Sequence, residues 1–234
     1  MDVKYLAIED DIAFHERESQ FWLSRNILSK RVSSMSEGIK EAAREQFLYI
    51  GINAANINYM SMLRLLRDVT NAPILISTTS YTMQEQGKAL NNGADLFGQI
   101  SENSNENYDA VMACINRLNE RAKQPKPDIE IITYNDILIA PSHHRAFIKD
   151  EEIHLTKNEM DILYYLTASR GQILSHEQLY TKLSNSENNE LSSDNIYGTI
   201  KRLRKKIKEV SSVEYIKTIR DVGYRLISKS EITA

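Results

Sequence analysis

The sequence predicts two domains of different class: an α/β domain on a doubly wound parallel sheet, then an α+β domain of antiparallel strands, three helices and a closing hairpin. Three observations carry this. Short apolar runs alternate with helical stretches up to residue 118. Strand-like runs separated by polar pairs begin at Ile129. Between them, residues 119–128 (NERAKQPKPD) are polar and hold two of the four prolines, which marks a connection rather than an element. A chain of 234 residues gives each half the length to bury a core of its own.

In the first domain, residues 5–8, 47–52 and 74–77 are continuous apolar runs and read as buried strands. Residues 14–29, 37–46, 60–69 and 85–91 between and after them read as helices. Alternation of this kind puts helices on both faces of a parallel sheet. In the second domain the runs IEIIT, DILIAPS, HRAFIK and EIHLT form an antiparallel meander, with the pair His143 and His144 in a turn. A helix follows in which Met160, Leu163 and Leu166 or Thr167 share a face and Gly171 ends the run. Ser175 and Gln178 have the spacing of a capping box, and Leu174 and Leu179 that of a hydrophobic staple, so a second helix starts at Ser175. The third starts near Ser192 or Ser193, with Asp194 on the positive end of its dipole.

Composition narrows the function. With 41% hydrophobic and 26% charged residues, 8 glycines and 4 prolines, the chain is neither collagen-like nor disordered. No apolar stretch is long enough for a membrane helix, and Glu9, Asp10 and Asp11 interrupt the start where a signal peptide would continue, so a cytoplasmic protein with no membrane partner is expected. The single cysteine, Cys114, excludes an internal disulfide and Cys-cluster metal sites. Five histidines show no HExxH spacing, and no P-loop, GxSxG or glycine-rich nucleotide motif occurs. The expectation is a protein that is not an enzyme and has no catalytic residues, no metal and no cofactor.

Net charge is −3, but its distribution is uneven. Residues 192–226 hold nine basic and four acidic side chains, and residues 201–208 (KRLRKKIK) hold six basic residues and no acid. On a helix, Ile196, Ile200, Leu203 and Ile207 fall on one face, with Gly198, Lys201, Arg202 and Lys205 opposite. A buried stripe backed by a basic face suits a helix that docks on a core while lying in a DNA major groove. A Lys-rich helix face is often no more than solvated; Gly198, which costs a helix interior about 1 kcal/mol relative to Ala, favours close approach of a partner. Residues 215–226 (YIKTIRDVGYRL) alternate like a strand pair with Arg220 and Asp221 at the tip. Meander, three helices and hairpin together describe a winged helix-turn-helix, with double-stranded DNA as the partner.

These residues resemble a known family. LTKNEMDILYYL, ILSHEQL, IKRLRKKI and IKTIRDVGYRL, in order after an opening meander, are similar to the DNA-binding domain of OmpR/PhoB-type response regulators, the transcription factors of two-component systems. The resemblance implies DNA contacts by Thr199, Lys201, Arg202, Arg204 and Lys205 from the third helix and by Thr218 and Arg220 from the wing. Asp221 stands where the family has glycine. Residues 184–191 (SNSENNEL) match a segment that in relatives touches RNA polymerase; a plain connector is an equal reading. Residues 1–122 resemble the family's receiver, a flavodoxin/CheY-like fold, through KYLAIEDD, PILIST and GADLF. Glu9 and Asp10 match its Mg²⁺-holding acidic pair, Thr78 its hydroxyl and Phe97 its switch aromatic. The domains expected are thus 1–122 (receiver-like), 123–128 (linker) and 129–234 (winged helix).

What the resemblance requires chemically is missing. A receiver accepts phosphate on an aspartate at the end of its third strand. Counting forward from Asp10 puts Asn53 there and counting back from Pro73 puts Gly51; no Asp or Glu lies between Glu45 and Asp68. The lysine of the fifth strand is absent as well, because there is none from Ala89 to Ala122, and Ile100 and Ser101 replace the usual Lys-Pro. Glu9, Asp10, Asn53, Thr78 and Ile100 thus form a degenerate phosphorylation pocket. In phosphorylated relatives a dimer forms through charged contacts; here Gln86 and Ala110 replace a lysine and an arginine, while Asp95 stays. The expectation is a phosphorylation-independent homodimer through the receiver, on two DNA half-sites. Two alternatives are a receiver that senses a ligand or partner, and redox sensing through Cys114, whose neighbours Val111, Ile115 and Leu118 point to burial. Met112, Cys114 and Ile115 read as core or, alternatively, as part of an apolar dimer surface.

Overall fold

The computed structural model describes residues 3–55, 57–99, 108–121, 129–184 and 193–232. The chain divides into two compact units, Met1–Ile129 and Glu130–Ala234. Ile100, Ser101, the 123–128 linker and most of the 184–191 loop lie outside the described residues.

The first unit runs β1 (Lys4–Ile8), α1 (Ile12–Leu23), β2 (Leu28–Val32), α2 (Met35–Arg44), β3 (Ile50–Asn53), α3 (Leu63–Val69), β4 (Ile74–Thr78), α4 (Met83–Asn91), β5 (Leu96–Gln99) and α5 (Tyr108–Arg121). Its strands form one parallel sheet in the order β2-β1-β3-β4-β5. The fold class matches expectation, with one correction. The helix expected over 14–29 ends at Leu23, and Leu28–Val32 is an edge strand. Asn26 adopts φ 59°, a left-handed conformation that Asn tolerates and that turns the chain out of the helix. LSKRV is half-exposed and mostly polar, so it lacks the apolar run by which a central strand declares itself.

Helix starts follow cap chemistry. Asp11, Ser34 and Thr82 each accept the N–H three residues on, which satisfies an otherwise orphaned donor. Arg67 ties the far end of the sheet together: its guanidinium donates to the carbonyls of Gly93, Thr70 and Ala72 and pairs with Asp95 at 2.7 Å. Asp95 also accepts Ile74 N–H at 2.8 Å. That carboxylate, expected to serve a dimer contact, is engaged within its own chain.

The second unit has an antiparallel sheet β6 (Ile132–Tyr134), β7 (Ile137–Ala140), β8 (Arg145–Ile148), β9 (Glu151–Ile153), with a 3₁₀ turn Pro141–His143 after β7. Then come α6 (Lys157–Ala168), β10 (Leu174–Ser175), α7 (His176–Ser184), α8 (Ser193–Val210), β11 (Ile216–Ile219), β12 (Gly223–Leu226) and α9 (Lys229–Ile232). β12 pairs with both β10 and β11. Gly223 is required there, because a Cβ would collide with the Leu174 carbonyl of β10. The capping box at Ser175 and Gln178 is present in both directions, at 2.9 and 3.0 Å. His143 and His144 sit in the turn, where His144 adopts φ 51°.

Candidate nucleic-acid interface

The apolar stripe of α8 does what its spacing predicts: Ile196, Ile200, Leu203 and Ile207 are all buried, in one core with Met160, Leu163, Leu166, Leu179 and Tyr224. Packing that face fixes which side chains point outward. Lys201, Arg202, Lys205 and Lys208 are exposed, and Gly198 is half-buried among them. A Cβ on Gly198 would meet only Arg202 Nη1 at 3.5 Å, so nothing inside the chain demands glycine at this position.

The structure does not expose every residue expected to touch DNA. Thr199 is 1% exposed, and its hydroxyl accepts from Arg202 at 2.8 Å. It packs beside the apolar stripe and positions Arg202 rather than facing outward. Arg204 is half-buried, and its guanidinium donates to the Ile216 carbonyl at 2.7 Å and to the Thr218 hydroxyl at 2.9 Å while lying over the Tyr224 ring. It ties the helix to the hairpin. Lys206, also in the basic run, donates to the His154 carbonyl at 2.8 Å and to Glu159 at 2.7 Å. Glu159 is 1% exposed; burial pushes its carboxyl up, but bonds from Lys206 and from the Thr156 N–H, with the Lys206 charge, outweigh this and leave it below its ordinary value. Arg204 and Lys206 therefore hold the fold, and the exposed Arg202 is also engaged within the chain, with Glu159 at 3.7 Å.

Sequence reasoning passed over Tyr197, which is 65% exposed on the N-terminal half of α8. It stands four residues before Lys201 and eight before Lys205, so the three form one outward row. Its signal was available, since an aromatic off the apolar stripe of an amphipathic helix has no core to fill.

The hairpin has Arg220 and Asp221 exposed at its turn. Asp221 has φ 58°, the left-handed conformation that glycine takes most readily and that Asp tolerates. Thr218 is exposed; its oxygen accepts from Arg204, which leaves its proton free to donate outward. Lys217 and Arg225 on the two strands both pair with Glu231 of α9 at 2.6 and 2.8 Å. Arg220 is thus the outward cation of the wing.

In the first unit, β1 and β3 bring Glu9 and Asn53 to the same end of the sheet. Asn53 is the last residue of β3, 5% exposed, with its Oδ1 accepting the Ala55 N–H and its amide against the Glu9 carboxyl. Gly51 is two residues earlier in the strand. Glu9 is 2% exposed; Oε1 accepts the Asp11 N–H at 2.7 Å, and Oε2 has no hydrogen-bond partner among the described residues. Burial raises its carboxyl above the ordinary value, opposed by the Asn53 and Asp11 bonds and reinforced by the charges of Asp10 and Asp11. Asp10 is exposed. Thr78, at the end of β4, is buried and exchanges hydrogen bonds with the backbone of Ser80. Phe97 is 4% exposed and lies 6.0 Å from the Tyr81 ring.

A Mg²⁺ site does not fit this set. The ion takes near-octahedral hard oxygens, whereas here one carboxyl is buried with an oxygen committed to the Asp11 N–H, the next faces solvent and the third position carries an amide. Among the described residues no three His, Cys, Asp or Glu side chains gather as a metal site. No helix among them is long and apolar enough to cross a membrane.

Residues 150–226, from β9 through the hairpin, match the family described as "Transcriptional regulatory protein, C terminal". The chain resembles response regulators of the OmpR/PhoB type. Response regulator ArlR of Staphylococcus epidermidis is 27% identical over 189 residues, 80% of this chain and 82% of its own. ArlR of Staphylococcus haemolyticus is 29% identical over 169 residues, 72% and 73% of the two chains. Among solved structures, response regulator DrrB of Thermotoga maritima, an OmpR/PhoB homolog, aligns over 97% of this chain and 100% of its own at 23% identity, with a TM-score of 0.39. The matched residues lie wholly within the second unit, whose α8 carries the outward basic row.

Proposed function

We propose that this response regulator binds specific double-stranded DNA and controls transcription without aspartyl phosphorylation, as a homodimer on paired half-sites. The observation that carries the reading is Asn53 at the end of β3 against Glu9, in a stretch with no acid between Glu45 and Asp68. An amide cannot become an acyl phosphate. On this reading residues 1–122 act as a receiver-like assembly domain, 123–128 as linker and 129–234 as DNA reader. Tyr197, Lys201, Arg202 and Lys205 meet the major groove, and Lys208, Thr218 and Arg220 meet phosphates or the minor groove. Thr199 and Arg204 position their neighbours.

A dimer through the receiver has support of a different kind from the ion pairs of relatives. Met83 and Leu90 on α4 and Leu96 on β5 are 80%, 43% and 39% exposed, an apolar group on neighbouring elements. Ile115 on α5 is fully buried and belongs to the core, not to such a surface. Selection of genomic DNA fragments by the untreated protein tests the reading. Enrichment of two half-sites spaced about one helical turn apart is expected; no enrichment, or a single half-site bound by one copy, contradicts it.

A further inference from the structure

The two faces of the parallel sheet are built differently. One carries Leu6, Ile8, Ile50, Ile52, Ile74 and Ile76, all buried, as a sheet covered by helices requires. The other, beneath α1 and α5, carries Ala7, Gly51, Ser77 and Gly98 on four successive strands, with Ala7 paired to Gly51 and Ser77 to Gly98. Small side chains on that floor leave a cavity of about 470 Å³, within the range of small-molecule sites. A Cβ placed on Gly98 meets nothing within 4 Å.

The walls are aromatic. Tyr5 and Tyr49 stack at 4.8 Å with their rings 2° apart, and Trp22 lies 5.8 and 5.3 Å from them. Three buried polar atoms without a hydrogen-bond partner belong to residues lining this space: the Tyr5 hydroxyl, Glu9 Oε2 and His15 Nδ1. Tyr5 is 3% and Glu9 2% exposed, so these atoms are withdrawn from solvent. The Ser29 hydroxyl lies near that of Tyr5 but makes no bond of ordinary length to it, being turned to His15 Nε2 at 3.3 Å. The large majority of buried polar side-chain atoms in native proteins are paired; of the five unpaired among the described residues, three belong to residues of this lining. Two carboxyls, Glu9 and Glu18, line the cavity, and among the described residues no lysine or arginine does.

We propose that this cavity binds a small arylalkyl amine, its ring on the small-residue floor between the aromatic walls and its ammonium N–H on the Glu9 carboxyl. The site goes beyond the DNA-binding reading and does not depend on it. Flat apolar surface suits stacking against Tyr5, Tyr49 and Trp22. A donor suits the unpartnered Glu9 Oε2, and two carboxyls in the lining favour a cation over an anion.

Cys114 of α5, the only cysteine, lines the same cavity and is half-buried, and Trp22 is the only tryptophan. Both report on occupancy in the full chain. Phenethylamine, with 3-phenylpropanoate as an acid of matching shape, is titrated while iodoacetamide labelling of Cys114 is followed by mass and Trp22 emission is recorded. The amine is expected to slow labelling about threefold at twice its Kd, by mass action, and to shift the emission, while the acid does neither. Gly98→Leu, which fills the floor, should abolish both responses, and Glu9→Gln should remove the preference for amine over acid. An unchanged labelling rate and emission, equal effects of amine and acid, or an undiminished response in a folded Gly98→Leu overturns the proposal. If Gly98→Leu does not fold, Glu9→Gln decides by the same preference. Operator binding is measured separately by gel shift, so failure of the amine arm leaves the DNA reading where it stood.

Discussion

Lys201, Lys205 and Lys208 are exposed on α8, whereas Arg204 and Lys206, of the same sign and the same helix, are bound to carbonyls and to Glu159. This separates variants that weaken DNA binding from variants that weaken the fold. Lys201→Ala with Lys205→Ala should lower operator affinity and flatten its salt dependence, by about 0.9 in the slope of log K against log salt for each phosphate left without its cation. Thermal unfolding should barely move. Fluorescence anisotropy across a salt series reads the first effect and calorimetry the second; an unchanged slope contradicts the assignment. Lys206→Met should do the reverse. Gly198→Ala should stabilise the helix by about 1 kcal/mol and weaken DNA binding, since the added methyl meets only Arg202 within the chain. Equal or tighter binding by Gly198→Ala would mean the glycine serves no close approach.

Glu159 supplies a pH test at the same scale. Its folded-state pKa is lowered, so its stabilising contribution is complete above the unfolded carboxylate value of about 4.5 and is lost as pH falls through the folded value. Glu159→Gln should therefore cost about 2–3 kcal/mol at neutral pH, the scale of hydrogen bonds to a charged group, and less at a pH below the folded value. Denaturant titrations of both proteins at the two pH values check it; a pH-independent difference would contradict the charge-based account.

At the scale of elements, central strands and amphipathic helices were legible because burial on a fixed side writes a period into the chain. The α8 stripe, the Ser175 cap and the closing hairpin all appear where the spacing puts them. Leu28–Val32 did not, since an edge strand answers to one neighbour and half to solvent. The short helix α9 was missed although Ser228 and Glu231 carry a capping spacing, with Ser228 N–H on Glu231 at 2.8 Å. Which cations face out was illegible for another reason: Arg204 and Lys206 find partners that are 12 and 47 residues away. The small floor of the sheet was written in YLAI, YIGIN, ILIST and LFGQ, but its meaning needs the register that sets Ala7 against Gly51 and Ser77 against Gly98. The exposed Met83, Leu90 and Leu96 lead to a prediction about these elements. Leu90→Glu with Leu96→Glu should shift the sedimentation of a micromolar sample from dimer to monomer, leaving far-UV circular dichroism unchanged; a wild-type chain that is monomeric at that concentration contradicts the dimer outright.

At the scale of the whole molecule, a unit with the sheet order β2-β1-β3-β4-β5 keeps the receiver frame, and a second unit presents an outward basic helix. On the proposed reading the frame is retained while the reacting groups are not. Glu9 is buried beside an amide, and Thr78 turns its hydroxyl to the local backbone. Regulation on this account resides in assembly and in what the first unit binds, with the DNA-reading surface competent as synthesised. The most direct measurement is incubation of the full chain with acetyl phosphate and Mg²⁺, followed by intact mass and by affinity for a selected operator. The account predicts no phosphoryl adduct and an unchanged affinity. A stable adduct that tightens operator binding would contradict it.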